Sequence, residues 1–113
     1  MNTLKNSAQL IGCLGNNPEM HTLDNGRRVA RFSIATNERY TNSRGETVTD
    51  TCWHTIVAWG RMAELAEKML QKGKEVLVSG KITNRSYVDK NNVKRWVTEI
   101  EVRELMLTSR AAA

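Results

Sequence analysis

Between Ala8 and Leu14 the chain is mostly apolar, and Gly15-Asn16-Asn17-Pro18 then stops the run with turn-forming residues. Residues 20–23 read as a brief extended piece before Asp24-Asn25-Gly26, a sequence suited to a hairpin turn. From Arg28 to Arg39 the pattern alternates, with Ala30, Phe32, Ile34 and Thr36 on one side and Arg31, Ser33, Ala35 and Asn37 on the other. That period predicts a strand with Phe32 in the core. Residues 41–47 are polar and contain a glycine, which predicts an exposed loop beside Tyr40, with a site there that orders only on binding. A further strand follows from Val48 to Gly60. Its side chains alternate, so Trp53, Thr55, Val57 and Trp59 share one face and His54, Ile56 and Ala58 the other. A face with two tryptophans suits either a core or an exposed platform, and spacing leaves both open.

At Arg61 the period changes. Met62, Leu65, Ala66, Met69 and Leu70 recur at helical spacing, with Arg61, Glu64, Glu67 and Lys68 opposite them. This predicts a helix over residues 61–72, its methionines in core packing and Gly73 as a left-handed C-cap. Strand character returns over residues 74–88, where Val76, Val78, Gly80 and Ile82 mark an inner face. Lys81, Thr83, Arg85 and Tyr87 line the opposite one. Asp89-Lys90-Asn91-Asn92 makes a turn, and a last strand runs over residues 93–107. Its inward parity changes between Val102 and Leu105, which predicts a bulge. Three strands, a helix and two strands predict an all-β, five-stranded OB-fold barrel. The helix lies between the third and fourth strands, and the fourth and fifth form a long basic hairpin. The expected domain covers residues 1–108, with 109–113 a short frayed terminus.

At 113 residues and 40% hydrophobic composition, the chain supports a single core, so disorder and membrane spans are not expected. The opening residues hold no apolar segment of the kind that targets a chain for export, which points to a cytoplasmic protein. A disulfide between Cys13 and Cys52 is then disfavoured, and both read as small buried hydrophobes. The net charge of +5 favours a polyanionic partner.

The placement of the aromatics sharpens that expectation. Tyr40 follows Arg39, Trp59 stands two residues before Arg61, Tyr87 two after Arg85, and Trp96 directly after Lys94-Arg95. Trp53 lies on the same strand as Trp59. Aromatics interleaved with cations on strands suit the stacking of unpaired bases and neutralisation of their phosphates. The candidate phosphate contacts are Arg31, Arg39, Arg61, Lys72, Lys81, Arg85, Lys94 and Arg95. Residues 81–96 hold five cations and one acid, a local balance of +4. Trp96 shares the parity of Ile100, so plugging the barrel is the alternative to stacking; Arg27 and Arg28 read as a solvated turn.

Enzymatic readings find little support. Cys52 and His54 share a face, with Cys13 and His21 as further conceivable ligands, but the scattered spacing does not match a zinc site. A Cys52/His54 dyad lacks a third group and an oxyanion element, and no phosphate-binding glycine motif is present. Neither an enzyme nor a bound metal or cofactor is expected.

Several segments, in order, resemble the bacterial-type single-stranded DNA-binding proteins over roughly Gln9 to Leu107. They are Leu10-Ile11-Gly12-Cys13-Leu14-Gly15-Asn16-Asn17-Pro18-Glu19, Ile34-Ala35-Thr36-Asn37-Glu38-Arg39-Tyr40, and the stretch from Trp53-His54-Thr55 through Trp59-Gly60-Arg61 to Glu64. Leu70-Gln71-Lys72-Gly73-Lys74-Glu75-Val76 and the hairpin from Tyr87-Val88-Asp89 to Glu99-Ile100 complete the series. The resemblance implies a homotetramer of OB folds that wraps single strands without strong sequence preference. It puts Tyr40, Trp53, Trp59 and Tyr87 at base-stacking positions and His54 at a position of assembly contacts. Tyrosine replaces the more familiar tryptophan at two of these positions, and Trp59 stands where phenylalanine is common. The typical member continues into a flexible tail with an acidic tip that recruits replication and repair proteins. The residues here stop at Arg110-Ala111-Ala112-Ala113 without that tip, which argues against recruitment by that route. Short length also raises a second reading, a dimeric OB-fold accessory protein of replication restart.

Overall fold

The computed structural model describes residues 5–108. The strands are β1 (Ala8–Leu14), β2 (Glu19–Thr22), β3 (Arg28–Thr41), β4 (Thr47–Trp59), β5 (Glu75–Val88) and β6 (Lys94–Leu107), and helix α1 (Arg61–Met69) joins β4 to β5. Neighbours run in the order β1-β5-β6-β4-β3-β2, and a further β1–β3 pairing closes β1, β5, β6, β4 and β3 into a barrel. The expected five-stranded OB barrel is therefore present, with β2 added outside β3 as the brief extended piece. Closure brings Gly12 of β1 against the Ala35 carbonyl, where an added Cβ would collide with backbone. A bare glycine lets these two strands approach.

The inward faces meet in one core of Leu14, Ala30, Phe32, Ile34, Ile56, Ala58, Val76, Val78, Ile100 and Val102, closed at one end by Ala63, Ala66 and Leu70. Phe32 is buried, as its parity predicts. The predicted bulge also appears: Ser79 pairs with Glu104 but Gly80 with Val102, so Arg103 is the extra residue. It returns Leu105 to inward parity.

Three expectations need correction. The helix ends at Met69, because Leu70 already has an extended conformation; Gly73, at a φ of 91°, serves the following turn rather than the helix cap. The polar loop after Tyr40 shrinks to a turn, since β3 and β4 stay paired as far as Thr41 and Thr47. Asn42 closes that turn by accepting from the N–H groups of Arg44 and Glu46. Finally, Cys13 and Cys52 are exposed and free rather than buried, because each falls on an outward or overhanging position of its strand. Residues 109–113, expected to fray, lie outside the described ones. Among the described residues no helix is long and apolar enough to cross a membrane.

Candidate nucleic-acid interface

Strand pairing assembles one outer face from β3, β4, β6 and β5. Arg31 stands opposite Val57, Val57 beside Glu101, and Glu101 opposite Lys81. The next row is Ser33, Thr55, Glu99 and Thr83; beyond it Ala35 faces Trp53 and Val97 faces Arg85. By alternation Trp59 and Val29 lie at one end of this face, and Tyr87 with Arg95 at the other. Two separate sequence signals, the tryptophan strand and the basic hairpin, thus converge on one surface.

Trp53 is its most prominent aromatic, 61% exposed on a strand interior. Its indole leans over β3 toward the end of β1. A Cβ on Gly15 would lie 2.5 Å from ring atom Cζ3 and 3.0 Å from the Ser33 hydroxyl, so only glycine leaves the ring its place. Asn16 fixes the same corner by accepting from the Ser33 backbone N–H at 3.0 Å and the Ser33 hydroxyl at 2.9 Å. The tryptophan is open to solvent yet held from below.

The other aromatics differ. Tyr87 is 43% exposed and has the Arg85 guanidinium 5.9 Å from its ring centre. Trp59 is half-buried, and the guanidinium of Arg27 lies over its ring at 4.4 Å. Arg27 is thus not the merely solvated turn residue that the sequence predicts, because the β2–β3 turn delivers it to the end of β4. Arg28 is likewise engaged, pairing with Glu67 of the helix. Trp96 does not plug the barrel: it is 68% exposed, with the Lys94 ammonium 5.0 Å from its ring centre. Its partner is Ser86, so it sits on the opposite face of the β5–β6 hairpin from Tyr87. Tyr40, opposite Val48, likewise faces away from Trp53 on the β3–β4 hairpin. Trp53 and Trp59 therefore lie on the outer face of the barrel, while Tyr87 continues that face onto one projecting hairpin and Tyr40 and Trp96 stand on the reverse sides of the two hairpins.

The cations divide too. Arg85 donates from Nε and Nη2 to the two carboxylate oxygens of Glu99, each at 3.1 Å, and Arg31 donates from Nη1 to Oε2 of the same group. Glu99 is only 5% exposed although it faces the cationic surface. Burial would raise its pKa, but hydrogen bonds from Arg85 and then Arg31, with their charges, outweigh burial and hold it below the ordinary value. Arg85 is raised in return, chiefly by its bond to Glu99. Lys81 stands 3.8 Å from Glu101, and Arg95 donates to Asp89 at 2.6 Å. That bond, followed by backbone N–H donation from Val93, lowers the Asp89 pKa. Arg39, Arg61, Lys72 and Lys94 make no ion pair among the described residues. Of these, Arg39 shares the face of Trp53, Lys94 joins Trp96, and Arg61 and Lys72 flank the helix.

Sequence reasoning missed Glu99, Arg27 and the supporting pair Gly15 and Asn16. Glu99 had a usable signal, since its outward parity between Val97 and Glu101 sets a carboxylate opposite the basic row. Arg27 had none, because its contact joins a turn to a distant strand end. His54 is half-buried, and its Nε2 lies 3.0 Å from the Thr36 hydroxyl. Cys52 and His54 gather no further ligand: among the described residues no three His, Cys, Asp or Glu side chains could hold a metal ion together.

A closed five-stranded barrel with its helix after β4 and an aromatic, cationic outer face defines the class of OB-fold binding proteins. The chain belongs to the single-strand binding protein family, whose model it matches over residues 5–108. It is 38% identical to single-stranded DNA-binding protein 1 of Chlorobaculum tepidum over 103 residues, 90% of this chain and 64% of that protein. To the single-stranded DNA-binding protein of Bacteroides thetaiotaomicron it is 40% identical over 106 residues, 92% of this chain and 66% of the relative. The chain thus spans slightly under two thirds of the length of these relatives. Among solved structures it is similar to a chain of the Plasmodium falciparum SSB complex with ssDNA, with a TM-score of 0.84 and 33% identity, covering 92% of this chain and 95% of that one.

Proposed function

We propose that this chain binds single-stranded DNA without strong sequence preference, protecting it during replication, recombination and repair. The carrying observation is Trp53, 61% exposed in the interior of β4 on the same outer face as Arg31, Arg39 and Arg85. An exposed indole on a packed barrel contributes little to folding but offers a π-face to any base, with each stacked base contributing about 1–3 kcal/mol. Tyr40, Tyr87 and Trp96 extend the stacking surface onto both arms. The uncommitted cations Arg39, Arg61, Lys72 and Lys94 supply the first phosphate contacts, while Arg31, Lys81, Arg85 and Arg95 share themselves with carboxylates. Duplex DNA is a poor ligand for such a surface because its bases already stack on one another.

Assembly into a homotetramer accompanies this reading, with His54 among the contacts. Exposed Ile11 and Met106, at 54% and 57%, support it as apolar groups for another subunit to cover. A cytoplasmic, nucleoid-associated location and a purely binding, non-enzymatic role go with the same reading.

The test is tryptophan fluorescence during titration with oligo(dT), against duplex DNA and at two salt concentrations. Quenching by the single strand alone is expected, with affinity falling on a slope of about −0.7 per phosphate neutralised. Equal quenching by duplex, or none by either, would remove the reading.

A further inference from the structure

Building on that reading, we infer that at the Trp59 end of the interface the surface that meets a base is the guanidinium of Arg27, with Trp59 as its support. Arg27 lies 4.4 Å from the ring centre and so covers the face that a base would otherwise use. Trp59 is accordingly only half-buried among its neighbours where Trp53 stands open. Arg27 is exposed, so the guanidinium that lies over the indole is also open to solvent, and unpaired bases stack on guanidinium planes as they do on aromatic rings.

The arrangement is held in place on both sides. The Arg27 backbone N–H donates to the Asn25 side chain at 2.9 Å, and its carbonyl accepts from Leu23 at 2.8 Å. Trp59 is paired with Val29, and the adjoining Gly60 N–H donates to the Arg28 carbonyl at 2.9 Å. Unlike Arg31, Arg85 and Arg95, Arg27 makes no ion pair among the described residues, so its charge is available to a phosphate. A single side chain then supplies both the stacking plane and the charge, and Trp59 acts as a positioning residue.

Anisotropy of labelled oligo(dT) with the wild type and with Arg27→Ala, Arg27→Lys, Trp59→Leu and the double variant Arg27→Ala/Trp59→Leu tests this. Arg27→Ala should weaken binding about three- to tenfold and make the salt slope shallower by about 0.7. Arg27→Lys keeps the charge but not the plane, so it should restore the slope without restoring the affinity. Trp59→Leu should weaken binding as well, with the double variant falling short of the product of the two single effects. Unchanged or tighter binding by Arg27→Ala, with stronger quenching of the uncovered indole, would make Trp59 the stacking surface and Arg27 its cover. Full recovery in Arg27→Lys would likewise overturn the stacking role. A wild-type chain that ignores oligo(dT) would defeat the proposed function itself, and this inference with it.

Discussion

Replacing Glu99 with glutamine isolates the ionic centre of the interface. Three hydrogen bonds from Arg31 and Arg85 reach this carboxylate. Hydrogen bonds to charged groups contribute about 1.5–3 kcal/mol each, so the gross gain is roughly 5–9 kcal/mol. Against it stands the desolvation of a carboxylate only 5% exposed, several kcal/mol in real proteins. The arginine side chains are 38% and 46% exposed, so solvent screening discounts the attraction further. Glutamine keeps one accepting oxygen, leaving a net loss of about 1–2 kcal/mol in Glu99→Gln at pH 7. For a domain of this size each kcal/mol moves the melting temperature by about 4–8 °C. The pH dependence gives the sharper check. Because the folded pKa of Glu99 lies below its ordinary 4.5, its contribution is complete above that value and fades as pH falls through the folded pKa. Asp89 fades over acid pH in the same sense, but equally in both proteins, so the difference between them reports on Glu99. Urea unfolding of wild type and Glu99→Gln at fixed protein concentration, at pH 7 and about pH 3, should therefore show a gap that narrows in acid. A gap of the same size at both values would assign it to packing. No gap at pH 7 would mean that the two ion pairs only offset the cost of burying the carboxylate.

Trp53→Ala should weaken oligo(dT) binding by about 1–3 kcal/mol while leaving thermal unfolding unchanged. Loss of the fold in this variant would return the residue to a packing role. Gly15→Val should also weaken binding, because its side chain takes the space of the Trp53 ring, and titration of the double variant should show little further loss once Trp53 is already alanine. Additive losses would show that Gly15 acts elsewhere.

The barrel was legible because β-strand parity and burial agree at nearly every position. Phe32, Ile56, Val76 and Ile100 sit where alternation puts them, and even the bulge at Arg103 announced itself as a change of inward parity. The helix end misled because Gly73 has the left-handed backbone typical of a helix cap. Leu70 leaves the helix first to fill the core, and the glycine is used in the next turn. The cysteines misled for a related reason. An apolar-looking strand segment suggests burial throughout, but β1 presents only alternate residues inward, and Cys13 lies between buried Gly12 and Leu14.

The aromatic set was legible by residue type and not by orientation. A strand model says which residues of one strand share a face; it does not say how long an arm projects beyond the barrel. Trp96 shares the inward parity of Ile100, yet it stands on a part of the hairpin with no core beneath it, so inward parity there means a second exposed surface. Tyr40 follows the same logic on the β3–β4 arm. A single strand that reached Tyr40 and Trp96 as well as Trp53 and Tyr87 would have to pass over both sides of the two hairpins, which favours wrapping over a straight groove.

The charge count shows where a linear reading stops being physical. Residues 81–96 carry a local balance of +4, but that window ends three residues before Glu99. In space, alternation sends Lys94 to the face of Trp96, whereas Lys81, Arg85 and Arg95 share theirs with Glu99, Glu101 and the nearby Asp89. A polyanion reaching this face therefore meets arginines whose donors are partly occupied and whose geometry is already fixed. Such a surface gains less from bulk attraction and more from correctly placed donors than its composition suggests. Its affinity should accordingly depend on stacking at Trp53 at least as much as on the number of lysines and arginines nearby.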